Sequence, residues 1–526
     1  MPQTERNMMR RKKLPIGKST FRDIRDPKEN YAYIDKTAIA YEMVTSGTHY
    51  FLSRPRRFGK SLFLDTLSEI FKGSKHLFEG LYIYDQYDWS QAFPVINISF
   101  ATGDCSTRQK LEDRIVSILK HVIDELGLDY DKCFDKQQGT FLENIIRQAY
   151  TVHGKQVVVL IDEYDKPILD NIETDMAEEA REVLRVFYSA IKACDQYIRF
   201  AMLTGVSKFS KLSLFSGLNN LNDITIDRKY SAITGYTHQD LLDHFGEYLV
   251  NVDIEEVRRW YNGYNYLGEP IYNPYDILLF LSKDGMFSNY WWNTGSPSFL
   301  IKMLKTGRYY LPELENIIVG EETLNAFDVD RIDIVALLWQ TGYLTFDREI
   351  RLANFISYKM KVPNIEVQNS LNALFLDYLT NLSGEARSKQ LAAVQALITG
   401  DVAHVELSIR GLFASIPYNN YVNNTIAEYE GYYASVMYVF LASLGFTIIA
   451  EHATNRGRIA LTLKVPGRTY IIEFKVDMPN ESALHQIRTK KYYEKYRAEG
   501  VEICLVGIHF SSAEKNIASL EWELLV

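Results

Sequence analysis

Glu473 and Lys475 stand two residues apart in ArgThrTyrIleIleGluPheLys (468–475), a stretch whose alternation reads as a β-strand. Side chains alternate faces along a strand, so Glu473 and Lys475 share one face and Tyr470, Ile472 and Phe474 the other. The preceding run IleAlaLeuThrLeuLysVal (459–465) reads as a second strand, joined through a Pro-Gly turn. Ala460, Thr462 and Lys464 form its polar face. Metal-dependent hydrolysis of a phosphodiester takes carboxylates converging on a hard cation and a lysine near the attacking water. Glu473 and Lys475 supply two of those groups. The first-strand position from which another carboxylate would reach the same metal holds Ala460.

A second set lies near the other end of the chain. SerArgProArgArgPheGlyLysSer (53–61) follows a predicted strand and opens a predicted helix, the context of a phosphate-binding P-loop. Backbone N–H groups of Arg56, Arg57, Phe58, Gly59, Lys60, Ser61 and Leu62 would bind phosphate oxygens. Lys60 would neutralise the β- and γ-phosphates of ATP, and the Ser61 hydroxyl would ligate Mg²⁺. Arg54 occupies the position of the usual first glycine. Arg54, Arg56 and Arg57 either contact phosphate or form a solvated basic loop, and both options stay open.

About a hundred residues later ValValValLeuIleAspGluTyrAsp (157–165) reads as a buried strand ending in carboxylates. There Asp162 would hold the Mg²⁺ hydration shell. Glu163 would orient or deprotonate the attacking water. A strand ending in Thr204 would place a hydroxyl beside the γ-phosphate.

These groups need scaffolds. HisTyrPheLeuSer (49–53), 93–100, 157–161 and 198–204 read as strands, separated by helical patterns over Ser61–Phe71, Gln109–Leu126 and Met176–Ala193. Continuous apolar strands alternating with helices imply a parallel α/β sheet. Residues from about 230 to 345 read as mainly helical and rich in Tyr and Trp. The clustered Tyr290, Trp291, Trp292 and Trp339 are core or an interaction surface. Beyond about 426 the pattern is helix (Glu430–Leu444), strand (446–450), hairpin, helix (Glu481–Glu499) and strand.

At 526 residues the chain exceeds one core, and 47% hydrophobic with 24% charged residues is globular composition. A net charge of −9 argues against a general nucleic-acid coat but allows a local basic groove. Cys105, Cys133, Cys194 and Cys504 lack metal-site spacing and suit reduced thiols in the cytoplasm. The basic N-terminus has no apolar run behind it, so no secretory signal is expected. Polar interruptions in Tyr432–Ala450 point to a buried helix and strand, not a membrane span.

The motifs together resemble the bacterial AAA-ATPase-like proteins that carry a C-terminal PD-(D/E)XK nuclease domain. The matching segments include TyrIleAspLysThr (33–37), 54–61, LeuIleAspGluTyrAspLysPro (160–167), LeuThrGlyValSerLysPheSer (203–210) and 215–223. They continue with TrpTyrAsnGlyTyr (260–264), TyrAsnPro (272–274), GlyTyrTyr after Glu430, GlyArg (457–458) and IleIleGluPheLys (471–475). An Arg in place of the first P-loop glycine is usual for this family.

The resemblance implies an α/β fold. A P-loop AAA-like ATPase domain with a parallel sheet would span 1–229. A helical or winged-helix region would follow over 230–365, then a helical connector over 366–425. A restriction-endonuclease-like α/β domain would occupy 426–526. It implies ATP and Mg²⁺ as cofactors and DNA as a partner, with no membrane. Monomer, dimer and ring all remain open. In the resembled fold Glu430 faces the metal with Glu473, and Gln486 is a polar neighbour of that metal. Glu451 is a neighbouring group or merely exposed. Lys490, Lys491, Lys495 and Arg497 bind DNA phosphates or form a solvated face.

The family pattern has Asp where this chain has Ala460. A methyl group cannot ligate a hard cation, so cleavage is expected to be severely impaired. The retention of Glu473, Lys475 and Gln486 favours a deliberate substitution of an active parent nuclease over natural loss. The leading expectation is an ATP-controlled metal-dependent DNA endonuclease, impaired in this chain. The alternative is a nucleotide-dependent switch or scaffold whose nuclease fold only binds.

Overall fold

The computed structural model describes residues 11–134, 140–172, 174–208, 220–292, 317–324, 327–328, 331–353, 355–380, 386–416, 430–454, 457–478 and 482–525. The chain divides into two compact units. One comprises Met1–Gly295 with Ile318–Glu366, the other Ser296–Ile317 with Val367–Val526.

The first unit is built on a five-stranded parallel sheet of β1 (His49–Ser53), β2 (Val95–Ser99), β3 (Val157–Asp162), β4 (Ile198–Gly205) and β5 (Asn222–Asp223), in the order β2-β3-β4-β1-β5. β1, β3 and β4 are buried along almost their whole length, as strands covered on both faces are, whereas Asn97 and Ser99 of the edge strand β2 are exposed. Tyr50, Leu52, Val158, Leu160, Phe200 and Met202 share one core with Phe63, Leu67 and Phe71 of the helix Lys60–Phe71. On the other face Phe51 packs edge-on against Tyr164 at 5.4 Å. That helix starts at Lys60, one residue earlier than the pattern suggests, because Gly59 adopts φ +87° and turns the chain into it.

Helices Arg108–Leu126 and Met176–Ala193 lie where the periodicity places them. The first is capped by Thr107, whose side chain accepts from the Lys110 N–H, and ends on Gly127 in the left-handed region. The aromatic-rich stretch supplies helices His238–Phe245, Ile254–Tyr261, Pro274–Ser282 and Ile334–Thr341. Within it Tyr290, Trp291 and Trp339 are buried, so these three rings are core. A small antiparallel sheet contains β6 (Ile318–Gly320), β7 (Thr345–Leu352) and β8 (Phe355–Lys361).

The second unit holds helices Ala386–Thr399, Val402–Ala414 and Glu430–Ala442 and a five-stranded mixed sheet. The strands β9 (Thr447–Thr454), β10 (Gly457–Val465), β11 (Arg468–Val476), β12 (Glu502–Ser511) and β13 (Asn516–Leu525) lie in chain order. Only the β11–β12 pair is parallel.

Three expectations change here. The helix expected over Glu481–Glu499 is broken: an α-helix Ala483–Lys490 ends at Lys491, φ +51°, and a 3₁₀ segment Tyr492–Glu499 follows. Glu451 lies inside β9 and not after it. The face carrying Thr462, Thr469, Ile471 and Glu473 is buried, because the helix Ala483–Lys490 and the 3₁₀ segment cover it. No helix among the described residues is long and apolar enough to cross a membrane.

Candidate active sites

β4 lies between β1 and β3, so its C-terminal end separates the 53–61 loop from the carboxylates after β3. The result is a tight polar cluster. Asp162 Oδ2 accepts from Ser61 Oγ at 2.5 Å, and Asp162 Oδ1 accepts from Thr204 Oγ1 at 2.7 Å and from the Glu163 N–H at 3.0 Å. Lys60 is buried and its Nζ donates to the carbonyls of Arg54 and Pro55, each at 2.9 Å. Burial pulls the Lys60 ammonium down from its ordinary value, and Asp162, Asp165 and Glu163 pull it back up.

Glu163 adopts φ +51°, uncommon for a non-glycine residue. Burial and the neighbouring Asp162 raise its carboxyl above the ordinary glutamate range. A cavity of about 460 Å³ opens over these groups, lined by Arg56, Arg57, Lys60, Ser61, Glu163 and Lys166 among others. That volume falls within the range of small-ligand and cofactor sites.

The three arginines of the loop separate. Arg54 is buried and contacts neither solvent nor the cavity, which excludes both sequence options for it. Its guanidinium donates to the carbonyls of Ser53 at 2.9 Å, Thr225 at 2.7 Å and Tyr230 at 3.3 Å, and stacks 3.6 Å from the Tyr266 ring centroid. It therefore holds the loop from beneath. Arg56 and Arg57 are exposed at the cavity. Arg57 lies 5.0 Å from the Tyr275 ring centroid. Phe58 turns its ring inward, edge-on to Tyr264 at 4.7 Å, leaving its backbone on the cavity side. Gly59 and Leu62 line the same cavity.

Asp165 belongs to this machinery although the sequence gives it no role. It is buried and accepts from Val206 N–H at 2.9 Å and from Ser207 N–H and Oγ, each at 2.6 Å. It thereby fixes the segment after β4. Gly205 permits this approach: a Cβ there would lie 2.6 Å from Asp165 Oδ1. The only available signal was a third acid in AspGluTyrAsp.

In the second unit Leu461 pairs with Ile472, so Ala460 is on the face of Ile471 and Glu473. On β9, Ala450 pairs with Leu461 and His452 with Ile459, which puts Glu451 opposite Ala460 in register. Glu473 is buried, and Lys475 follows it two residues on at partial exposure. The buried Tyr492 phenol is hydrogen-bonded to Gln486 and feels the Glu473 charge; burial is the main cause raising it above the ordinary tyrosine value. Tyr492 thus links Gln486 to the surroundings of Glu473. Gly507, paired with Glu473 across β11–β12, lets the helix Ala483–Lys490 approach: a Cβ would stand 2.5 Å from the Leu484 nitrogen.

The helix Glu430–Ala442 packs on the other face, where Tyr433 stacks on Phe510 at 4.7 Å and Phe510 lies 6.1 Å from Phe474. The side chains of Glu430 and Glu451 lie outside the described residues, as do positions 209–219. Lys490, Lys491, Lys495 and Arg497 are exposed. No group of three or more His, Cys, Asp or Glu suited to a metal ion occurs among the described residues.

A parallel sheet whose loop and carboxylates meet in this way, followed by a mixed sheet bearing the Glu-x-Lys strand, defines an ATPase-like unit joined to a nuclease-like unit. Residues 15–215 match the family model described as predicted AAA-ATPase, and residues 428–520 match the PD-(D/E)XK nuclease superfamily. The chain belongs to this AAA-ATPase-like, PD-(D/E)XK family. It is 46% identical over 522 residues to an uncharacterized protein in the vnfD 5' region of Azotobacter chroococcum mcd 1, covering 98% of this chain and all of that protein. No solved structure matches it.

Proposed function

We propose that this chain binds ATP with Mg²⁺ at the 56–62 loop and hydrolyses it, and that hydrolysis controls a DNA-directed nuclease unit impaired by Ala460. The observation that carries the ATPase reading is the Asp162 carboxylate, which receives both the Ser61 and the Thr204 hydroxyls. These oxygens are donors suited to a hard cation and its hydration shell. When bound, Mg²⁺ neutralises charge on the transferring phosphoryl group. Loop N–H groups and Lys60 hold the phosphates, Thr204 sits beside the γ-phosphate, and Glu163 accepts the proton of the attacking water.

In the nuclease unit Glu473 is the retained carboxylate, joined by Glu430 in the proposed metal set. Lys475 stands near the attacking water and Gln486 positions the site through Tyr492. The residues present do not complete a carboxylate set for a hard cation, because Ala460 offers a methyl group. As it stands, this chain lacks the ligand set that metal-dependent cleavage requires. The same observation favours the second reading, a nucleotide-dependent switch whose nuclease fold binds DNA or a partner without cutting. Four free cysteines, all buried, suit a reducing, cytoplasmic setting. The division at 229, 365 and 425 is retained as the proposed domain layout.

The test is Ala460→Asp, assayed on duplex and single-stranded DNA with Mg²⁺ or Mn²⁺, with and without ATP. Cleavage gained by the variant supports the nuclease reading. A variant that cuts neither substrate while still hydrolysing ATP establishes the switch instead. Lys60→Ala should abolish nucleotide binding or turnover, and unchanged hydrolysis would remove the loop assignment.

A further inference from the structure

Lys18, Arg56, Arg57, Lys60 and Lys166 line the cavity of about 460 Å³ over the phosphate loop. They come from different segments. Arg56, Arg57 and Lys60 belong to the loop itself, and Lys18 to the N-terminal segment, where its Nζ lies 5.1 Å from the Tyr31 ring centroid. Lys166 comes from the turn after β3 that carries Glu163, and its N–H donates to the Glu163 carbonyl at 3.1 Å. Its charge is felt at the Glu163 carboxyl, where burial and Asp162 pull upward and Lys60 and Lys166 pull down.

The backbone of this turn is fixed. Tyr164 N–H donates to the Thr204 carbonyl at 3.1 Å and the Tyr164 hydroxyl to the Ser207 carbonyl at 3.0 Å, while buried Asp165 holds Val206 and Ser207. The Lys166 side chain is less confined. It is 25% exposed, and its ammonium is paired with Asp170, four residues on, which lines the same cavity at 42% exposure. An ion pair this open to water contributes little to stability. It does keep a cation in the cavity, beside Glu163, where a more highly charged anion would compete for it.

We propose that Lys166 is a further catalytic residue, which leaves Asp170 for the γ-phosphoryl group of ATP and neutralises the charge on its oxygens during transfer. The inference rests on the nucleotide reading of the loop. In the hydrolysis step the water oxygen bonds to the γ-phosphorus as the bond from that phosphorus to the β,γ-bridging oxygen breaks. The electron pair of the broken bond leaves with ADP, Glu163 takes the proton of the water, and inorganic phosphate is the other product. Lys166 stays protonated throughout. Because Lys166 and Glu163 share one turn, the ammonium meets the phosphoryl oxygens on the side where the water enters, whereas the loop groups hold the side from which ADP departs.

Turnover and calorimetric titration of the full chain test it, for wild type, Lys166→Met, Lys166→Arg and Asp170→Asn. The titrants are ADP, an unhydrolysable ATP analogue, and ADP with aluminium fluoride, a mimic of the transferring phosphoryl group. Lys166→Met should lower kcat about a hundredfold, the scale of one lost electrostatic stabiliser. It should bind ADP as wild type does and lose about a hundredfold of the tightening that aluminium fluoride brings. Lys166→Arg should recover part of both. Asp170→Asn frees the ammonium and should tighten the ATP analogue relative to ADP. The inference is overturned if Lys166→Met turns over ATP as wild type does, or loses ADP binding as far as it loses turnover. It is also overturned if Asp170→Asn loses turnover as far as Lys166→Met, since the ion pair alone would then matter. Each of these results leaves the nucleotide reading standing. Wild type that binds no nucleotide and matches Lys60→Ala removes that reading, and this inference with it.

Discussion

Ser61 Oγ donates to Asp162 Oδ2 at 2.5 Å, joining the first turn of the helix after the phosphate loop to the end of β3, 101 positions later in the chain. Thr204 closes the same carboxylate from β4. Three segments thus share one oxygen-rich point. If that point organises the hydrated cation, either Ser61→Ala or Asp162→Asn should lower Mg²⁺-dependent ATP hydrolysis by at least about a hundredfold, roughly 2.7 kcal/mol of barrier. The two changes should be strongly non-additive, because they remove halves of one arrangement. Steady-state turnover of both singles and the double checks this. Additive losses would mean that the two residues act separately.

Glu163 gives a different signature. As the group that takes a proton from water it must be ionised, so turnover should fall as pH drops through its carboxyl value. Burial and Asp162 raise that value, so the acid limb of kcat should lie above the range of an ordinary glutamate. Glu163→Gln should still bind ATP but lose turnover by about two orders of magnitude or more, within the span of a general base. A pH–rate profile from 5 to 8 and nucleotide titration of the variant decide it. An unshifted acid limb in the variant would assign that limb to another group.

Much of this site is legible in the residue order, and the reasons are local. β1 and β3 declare themselves as unbroken apolar runs, since a parallel strand covered on both faces has no polar side. The Gly59-Lys60-Ser61 turn and the Asp162-Glu163 end are visible for the same reason: each is a contiguous segment. What escapes is made by distance. Asp165 works through Val206 and Ser207, some 41 residues on. Arg54 looks like a phosphate ligand until Thr225 and Tyr230 supply carbonyls for it. The helix break at Lys491 carries no Gly or Pro to mark it.

The buried carboxyls Asp276 and Glu366 form another long-range pair. Glu366 Oε1 accepts from the Trp291 N–H at 2.7 Å. Two ionised carboxylates there would have no donor between them, whereas a proton held by Asp276 makes a hydrogen bond to Glu366. Burial, reinforced by the Glu366 charge, pushes Asp276 well above the usual carboxylate range; burial raises Glu366 to about 7. The folded state then holds more protons than the unfolded state, so this pair's contribution is full below the unfolded values and is lost as pH rises. The loss through Glu366 runs from about 4.5 to about 7. Asn at 276 donates to Glu366 at any pH. Asp276→Asn should therefore melt higher than wild type at pH 8, with a smaller gain at pH 5. Thermal melts across that range are the check, and an equal shift at both ends would exclude a shared proton.

Gly507 bears on the nuclease unit. A Cβ at this position would stand 2.5 Å from the Leu484 nitrogen and 3.1 Å from its Cα, both backbone atoms that cannot swing aside. Gly507→Ala should push the helix Ala483–Lys490 outward and destabilise the unit by about 1–3 kcal/mol, the usual cost of overpacking. The same displacement carries Gln486 and Tyr492 away from Glu473. In an Ala460→Asp background it should cost cleavage beyond what the lost stability explains, measured well below the melting temperature. Gly411→Ala is the control: it lies in the helix Val402–Ala414, and an added Cβ meets nothing within 4 Å. That change should be neutral or stabilising by up to about 1 kcal/mol. Equal melting and equal cleavage for the two alanine variants would show that the close approach at Gly507 does not hold Gln486 and Tyr492 in place.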